Sequence, residues 1–147
     1  MPQIRSQIHI DATPEQVFDF IDDWRNAMRY MKRMTRWDLV DPEGGTGVGA
    51  VFRVDVSAGP RKLGGRFQVT DHDRPHRIAF RSMEDVRVEG SWTIQPDGEG
   101  TRLVLDAFYD LPGGIAGRLV GTFLRGNAQN DLDSSVRELK RLVESET

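Results

Sequence analysis

The amino-terminal segment alternates apolar and polar residues with a period of two. The alternation runs from Ile4 to Ile10, which predicts a half-buried strand whose isoleucines face inward. Thr13 and Gln16 then have the spacing of a capping box, and Pro14 stands at the first helical position. A helix is therefore predicted directly after the first strand.

A second short helix is predicted next. Asp22 and Asp23 precede it, and acidic residues at this position cap a helix and complement its dipole. Trp24, Met28 and Met31 follow at four- and three-residue spacing, which gives this segment one apolar face.

From Thr35 to Tyr109 the period is again two, and turn residues interrupt it at intervals. Six more strands are predicted, and tight turns such as Pro96-Asp97-Gly98 make their pairing antiparallel. The predicted inward row includes Trp37, Phe52, Val54, Phe67, Phe80, Trp92 and Tyr109. The alternate row, which can face water, includes Arg53, Arg66, Gln68, Arg81, Arg87, Glu89 and Thr93.

The last third of the chain returns to helical spacing, with Leu119 and Phe123 on its apolar stripe. One helix of about 30 residues would span about 45 Å and cross the whole sheet. Each glycine in its first half costs about 1 kcal/mol of helix stability. A break near Gly126 and Asn127 is therefore a second possibility.

Composition narrows the protein class. The chain has 147 residues, 37% of them hydrophobic, with no cysteine and a formal charge of -3. These values predict one domain over residues 1–147 that needs no disulfide or metal to fold. The charge argues against a strongly basic nucleic-acid surface. No stretch approaches the about 20 apolar residues of a membrane span, so we expect a cytoplasmic protein without stable membrane insertion.

The inward row interleaves aromatic residues with small ones, among them Ala50, Gly65, Gly90 and Ala107. This pattern is compatible with a solid core, and equally with a cavity that holds a small hydrophobic ligand. For the second case the predicted ligand-binding residues are Trp24, Met28, Met31, Phe52, Val54, Phe67, Phe80, Trp92, Tyr109, Leu119 and Phe123.

Four stretches of sequence resemble a known superfamily. They are residues 8–18 (IHIDATPEQVF), 92–94 with 100–103 (WTI and GTRL), 109–119 (YDLPGGIAGRL) and 135–144 (SVRELKRLVE). The chain resembles the START-like, or SRPBCC, superfamily, in its polyketide cyclase/dehydrase branch. The resemblance implies an α+β helix-grip fold, in which a seven-stranded curved antiparallel sheet surrounds a long carboxy-terminal helix. It also implies a hydrophobic cavity between sheet and helix, but not catalysis.

Few residues match known patterns for catalysis or cofactor binding. His9, His72 and His76 are expected to be solvated, because none is placed to reach a substrate in a cavity. Residues 45–50 satisfy G-x-G-x-x-A, but they precede a strand rather than a helix, which favours a plain loop over a dinucleotide site. Met28, Met31 and Met34 could be core fillers or a pliable lid.

Basic residues concentrate on the segment that also carries these methionines. They are Arg25, Arg29, Lys32, Arg33 and Arg36. A solvated face is the favoured interpretation, and contact with anionic headgroups during ligand exchange is the alternative.

Three functions remain open at this point. The first is a carrier or binding protein for a lipid, isoprenoid or polyketide-like ligand, with no cofactor and no metal. The second is a polyketide aromatase/cyclase, for which Tyr109 and Ser82 are the weak catalytic candidates, joined by Arg53 or Arg81 if the strand register shifts by one. The third is a co-chaperone-like or regulatory domain with a closed core. The oligomeric state stays open.

Overall fold

The computed structural model describes residues 3–58, 61–84, 87–110 and 115–146, with side chains for all of these except 58, 61–63, 110 and 115–127. Its strands are β1 (Gln3–Ile10), β2 (Met34–Leu39), β3 (Val51–Ala58), β4 (Arg61–Asp73), β5 (Arg77–Ser82), β6 (Arg87–Asp97) and β7 (Gly100–Asp110). Its α-helices are α1 (Pro14–Asp22), α2 (Ala27–Tyr30) and α3 (Ile115–Glu146), and 3-10 turns lie at Trp24–Asn26 and Pro42–Gly44. The predicted architecture is confirmed.

The strands form one antiparallel sheet in the order β1-β7-β6-β5-β4-β3-β2. Consecutive strands are neighbours from β2 to β7, whereas β1 pairs with β7 along its whole length. The register places Phe52 opposite Phe67 and Ile78 opposite Trp92. These side chains therefore share the inner face of the curled sheet, as the alternation predicts.

The start of α1 has the predicted capping box. The Thr13 backbone N–H donates to Gln16 Oε1 at 2.9 Å, and the Gln16 N–H donates to Thr13 Oγ1 at 3.2 Å. Val17, Phe18 and Ile21 then bury the apolar face of the helix. Asp23 caps the following 3-10 turn by accepting from the Arg25 N–H at 3.2 Å.

The carboxy-terminal helix is continuous. Its backbone is helical from Ile115 to Glu146, so it is about 48 Å long at 1.5 Å per residue. The alternative of a break near Gly126 is therefore wrong. Leu139 and Val143 are fully buried in its second half, where α3 packs against β1. None of the helices in the described ranges is long and apolar enough to cross a membrane.

The buried side chains form two hydrophobic clusters rather than one. The larger joins α1, α2, α3, β1 and the β5–β7 strands, with Phe18, Trp92 and Leu139 among its members. The smaller lies on β2, β3 and β4 and contains Leu39, Phe52, Val54 and Val69. Trp37 packs against both clusters.

His9 lies between two carboxylates at the end of β1. Its Nδ1 is 2.9 Å from Asp97 Oδ2 and its Nε2 is 3.1 Å from Asp11 Oδ1. Only a protonated imidazole can donate to both. The hydrogen bond to Asp97 raises the pKa of His9, and the same bond lowers the pKa of Asp97. The ring is half exposed, as predicted for this residue.

We predict a pH-dependent contribution of His9 to stability. Because its folded-state pKa is raised, the stabilisation is complete below its unfolded-state pKa of about 6.5 and is lost as the pH rises through the folded-state pKa. His9→Asn should therefore lower the melting temperature more at pH 5.5 than at pH 9. Thermal melts of His76→Asn serve as the control, because its exposed side chain makes no ion pair within the described ranges. Equal losses for His9→Asn at both pH values would contradict the prediction.

Thr101 provides a buried link between β7 and the loop before α1. It is fully buried, and its Oγ1 donates to the Ala12 carbonyl oxygen at 2.7 Å. Thr101→Val keeps the shape but leaves that carbonyl without its partner, so we expect a loss of about 1–3 kcal/mol in unfolding free energy. Urea denaturation measures it, and Thr93→Val, half-buried on the outer face, should change stability by less than about 0.5 kcal/mol. A loss no larger than that of the control would refute the role of Thr101.

Candidate ligand-binding site

A pocket of about 260 Å³ lies between the two hydrophobic clusters, and we call it the central pocket. All seven strands of the sheet contribute to the lining, and α1, the 3-10 turn after it, α2, α3 and the loops after α2 and before β3 contribute the rest. Trp24, Tyr30, Met31, Trp37, Phe80 and Trp92 represent these elements in the lining. The lining is mostly apolar, and no histidine is found among its described residues.

Four aromatic rings form one wall of the central pocket. The Trp37 ring lies 5.4 Å from Phe52 and 5.9 Å from Phe80, measured between ring centroids. It also stacks on Phe67 at 6.4 Å, and Phe67 meets Phe80 edge to face at 5.6 Å. Such pairs contribute about 0.5–1.5 kcal/mol each beyond their buried area. This wall is therefore held by contacts within the protein itself.

A second aromatic group lies where α2 meets β6. The rings of Tyr30 and Trp92 are 6.0 Å apart, and Phe20 lies 6.1 Å from Tyr30 on the other side. Tyr30 is only 4% exposed. Burial raises the pKa of its hydroxyl far above the usual value, so the group stays protonated and able to donate.

Polar contacts attach residues 27–33, which we call the α2 segment, to α3 at the rim of the central pocket. Arg33 Nε donates to Asp131 Oδ2 at 2.6 Å, and both residues line the pocket. The Lys32 backbone N–H donates to the buried Ser135 Oγ at 3.0 Å. Arg33 adopts a left-handed backbone with φ of 65°, a conformation that costs a non-glycine residue energy.

The three other arginines within residues 25–36 are also paired. Arg25 bonds Asp23 at 2.9 Å, Arg36 bonds Asp38 at 2.7 Å, and Arg29 bonds Glu146. These pairs are at least partly exposed, so each contributes little to the stability of the fold. The pairing supports the interpretation of this segment as a solvated face whose arginines are neutralised within the protein, rather than as a surface that binds anionic headgroups.

His72 and Asp22 form a pair that sequence reasoning missed. His72 Nε2 lies 2.8 Å from Asp22 Oδ1, and the side chain of His72 is only 20% exposed. Its ring meets Phe18 edge to face at 5.3 Å. The expectation that His72 is solvated is therefore wrong, and Asp22 binds a strand instead of capping the next helix. No sequence signal reveals the pair, because 50 residues separate its members.

The predicted ligand-binding residues divide into three groups. The central pocket brings together Trp24, Met31, Phe52, Phe67, Phe80, Trp92 and Tyr109. Met28 is 44% exposed and lies outside the lining, and Val54 is buried in the smaller hydrophobic cluster without reaching the pocket. Leu119 and Phe123 lie outside the residues whose side chains the structure describes.

The two weak catalytic candidates differ in their placement. Tyr109 lines the central pocket and is 6% exposed. Ser82 does not line it, and its Oγ accepts a hydrogen bond from the Val88 N–H at 2.9 Å. Arg53 and Arg81 lie on the outer row of their strands, opposite Arg66 and Glu89. Within the described ranges, no group of three or more acidic or histidine side chains could hold a metal ion.

Three lining residues that matter were absent from the predicted set. Tyr30 follows Arg29 in the basic segment, Met34 begins β2, and Trp37 faces inward from β2. The inward phase of Trp37 was readable from the alternation of the strand. The position of Tyr30 was not, because it depends on how a four-residue helix docks.

A family model for polyketide cyclase/dehydrase and lipid-transport proteins matches residues 1–144. The chain belongs to this polyketide cyclase/dehydrase and lipid-transport family. The match covers both the sheet that forms the aromatic wall and the helix that closes the central pocket.

Solved structures similar to this family member share its fold over nearly the whole chain. The TTHA0849 protein of Thermus thermophilus is 28% identical with a TM-score of 0.83, and the alignment covers 99% of each chain. A START superfamily protein of Mycobacterium smegmatis is 17% identical with a TM-score of 0.75, again over 99% of each chain. The Zhui aromatase/cyclase of a Streptomyces species is 19% identical with a TM-score of 0.75, over 97% of this chain and 95% of its own.

No protein among the curated ones matches this sequence. The family description covers polyketide cyclase/dehydrase chemistry and lipid transport, and it does not specify which applies to this chain.

Gly90 leaves room for a ring of the aromatic wall. A Cβ at this position would lie 2.7 and 2.8 Å from the Cε2 and Cζ atoms of Phe80. Trp37 and Phe67 already contact the Phe80 ring, so the ring cannot move without disturbing them.

We therefore expect Gly90→Ala to lower the unfolding free energy by about 1–3 kcal/mol and to change the fluorescence of Trp37. Gly47→Ala is the matched control, because a Cβ there has nothing within 4 Å. Chemical denaturation followed by tryptophan fluorescence compares the two. If Gly90→Ala behaves like the control, Phe80 is not confined as described.

Proposed function

We propose that this family member binds a small hydrophobic ligand in the central pocket and acts as a carrier or binding protein. The apolar, aromatic lining of that pocket carries the proposal. Binding sites for small molecules are concave and mostly apolar, with few polar groups that set orientation. Transfer of an apolar ligand from water to such a wall is favourable by about 25 cal/mol per Å² buried.

The polar groups around the central pocket favour binding over reaction. Asp131 is paired with Arg33, and Glu89 is paired with Arg87 at 3.1 Å. Acid-base catalysis needs a proton acceptor within reach of the substrate. Among the described lining residues, Asp22 is the remaining carboxylate, and it bonds His72.

The rim contacts provide a route for exchange. The ion pairs of Arg33 with Asp131 and of Arg29 with Glu146 are partly exposed, and the hydrogen bond between Lys32 and Ser135 adds a further link. Few links of this kind need to open for the α2 segment to move away from α3, because exposed ion pairs are weak.

A variant that fills the central pocket tests the proposal. Ala107 lines the pocket on β7, so Ala107→Leu should occupy the space of a ligand without removing a wall contact. We expect it to weaken binding of N-phenyl-1-naphthylamine, an apolar fluorescent probe, at least about tenfold. Gln95→Leu adds a leucine at an exposed position of β6 and should leave the affinity unchanged.

Native mass spectrometry of the protein after incubation with a lipid extract provides the second measurement. The proposal expects adducts on the wild type that Ala107→Leu loses. Repeated recovery of empty wild-type protein, together with no fluorescence change of the probe, would refute the carrier role.

A second candidate function is that of an aromatase/cyclase. It is favoured by Tyr109, whose buried hydroxyl lies in the pocket lining and makes no hydrogen bond within the described ranges. In this reaction the α-carbon of one enolised carbonyl of a bound poly-ketone attacks a second carbonyl carbon, whose oxygen takes up the enol proton and becomes a hydroxyl. This hydroxyl then leaves as water: Tyr109 donates a proton to the departing oxygen, and the α-proton released as the C=C bond forms returns to the Tyr109 oxygen.

Tyr109→Phe distinguishes this candidate from the carrier. If the chain is a cyclase, we expect turnover of a poly-ketone substrate, followed by the absorbance of the aromatic product, to fall by about 10²-fold or more. Binding of N-phenyl-1-naphthylamine should persist, since the ring remains. Unchanged turnover in the variant would remove Tyr109 as the acid.

A further inference from the structure

The size of the central pocket limits its occupant. An engineered apolar cavity of about 150 Å³ holds benzene, whereas pockets for drug-sized molecules start near 300 Å³. At about 260 Å³ the central pocket therefore fits one or two fused rings and is small for an extended acyl chain. Its aromatic wall offers flat faces and edges, which pack well against a ring.

Two buried donors at the α2 end of the central pocket have no hydrogen-bond partner among the described residues. Tyr30 and Trp92 are each 4% exposed and line the pocket. Neither the Tyr30 hydroxyl nor the Trp92 indole N–H makes a hydrogen bond to a described residue. No fully enclosed side-chain nitrogen or oxygen in the described ranges lacks a partner, so both groups must open onto free space. Both side chains line the central pocket, and we take this pocket as the free space onto which the two donors open.

The two donors belong to neighbouring rings. The Tyr30 and Trp92 centroids are 6.0 Å apart, and Tyr30 also contacts the Phe20 ring at 6.1 Å. The indole N–H can only donate, and the neutral phenol donates readily. A buried donor left without an acceptor costs about 1–3 kcal/mol. A ligand with a hydrogen-bond acceptor at this end therefore gains binding free energy that a pure hydrocarbon cannot gain.

We propose that the central pocket selects a compact ligand of one or two fused rings with a carbonyl or phenolic oxygen, and that the Tyr30 hydroxyl binds this oxygen beside the Trp92 indole. This inference rests on the proposed function, because it specifies the ligand class of the same pocket. Tyr30 acts here as a specificity-determining residue and carries out no chemical step.

A matched pair of ligands tests the inference. Tetralin and 1-tetralone have the same two fused rings and differ by one carbonyl oxygen. We expect Tyr30→Phe to lower the affinity for 1-tetralone about five- to tenfold, the effect of one lost hydrogen bond. The affinity for tetralin should change by less than twofold. Isothermal titration calorimetry measures the dissociation constants of both ligands for the wild type and the variant. Palmitate is the long-chain comparison ligand, and it should bind to the wild type more weakly than 1-tetralone does.

A spectroscopic measurement needs no variant. The carbonyl stretch of 1-tetralone bound to the wild type should lie at lower frequency than that of 1-tetralone in an alkane solvent, where the carbonyl makes no hydrogen bond. An unshifted band would overturn the inference even if Tyr30→Phe fails to fold.

The outcomes separate this inference from the proposed function. If palmitate binds and both bicyclic ligands fail, the carrier role stands and the compact ligand class is wrong. If Tyr30→Phe weakens tetralin and 1-tetralone equally, the donor role of Tyr30 is wrong. If neither bicyclic ligand nor palmitate nor N-phenyl-1-naphthylamine binds, the proposed function itself fails.

Discussion

The curled sheet presents more apolar inner surface than one helix can cover, and the rest of the structure depends on this mismatch. Seven strands place aromatic residues on the inner face, whereas α3 packs mainly against β1. The buried side chains consequently separate into two clusters with the central pocket between them. Close packing is the norm in protein interiors, so space that remains between two well-packed clusters requires rigid walls.

Those walls are rigid because their rings support one another. Trp37 contacts Phe52, Phe67 and Phe80, and it packs against both clusters. The absence of a Cβ at Gly90 lets the Phe80 ring lie directly over the backbone of β6. At the rim, hydrogen bonds of Arg33 and Lys32 attach the chain that follows α2 to α3. A mostly apolar lining whose rings support one another fits the binding role proposed above.

Sequence reasoning succeeded where a local pattern determines the outcome. The capping box at Thr13 is visible in four consecutive residues, and the inward phase of Phe52, Phe67 and Trp92 follows from strict alternation along each strand. It was less successful for the short helices. Met28 and Met31 share a predicted face, but α2 ends at Tyr30, so Met31 lines the pocket while Met28 is exposed to solvent.

The sequence by itself determined the order of the elements, the antiparallel meander and the apolar character of the inner face, because each is set by residues that are neighbours in the chain. Only the tertiary structure decided the pairing of His72 with Asp22, the link from Arg33 to Asp131 and the placement of the Tyr30 ring beside Trp92. These depend on how elements 50 or more residues apart dock. Such docking is set by the shape of the whole sheet and helix, which no local periodicity encodes.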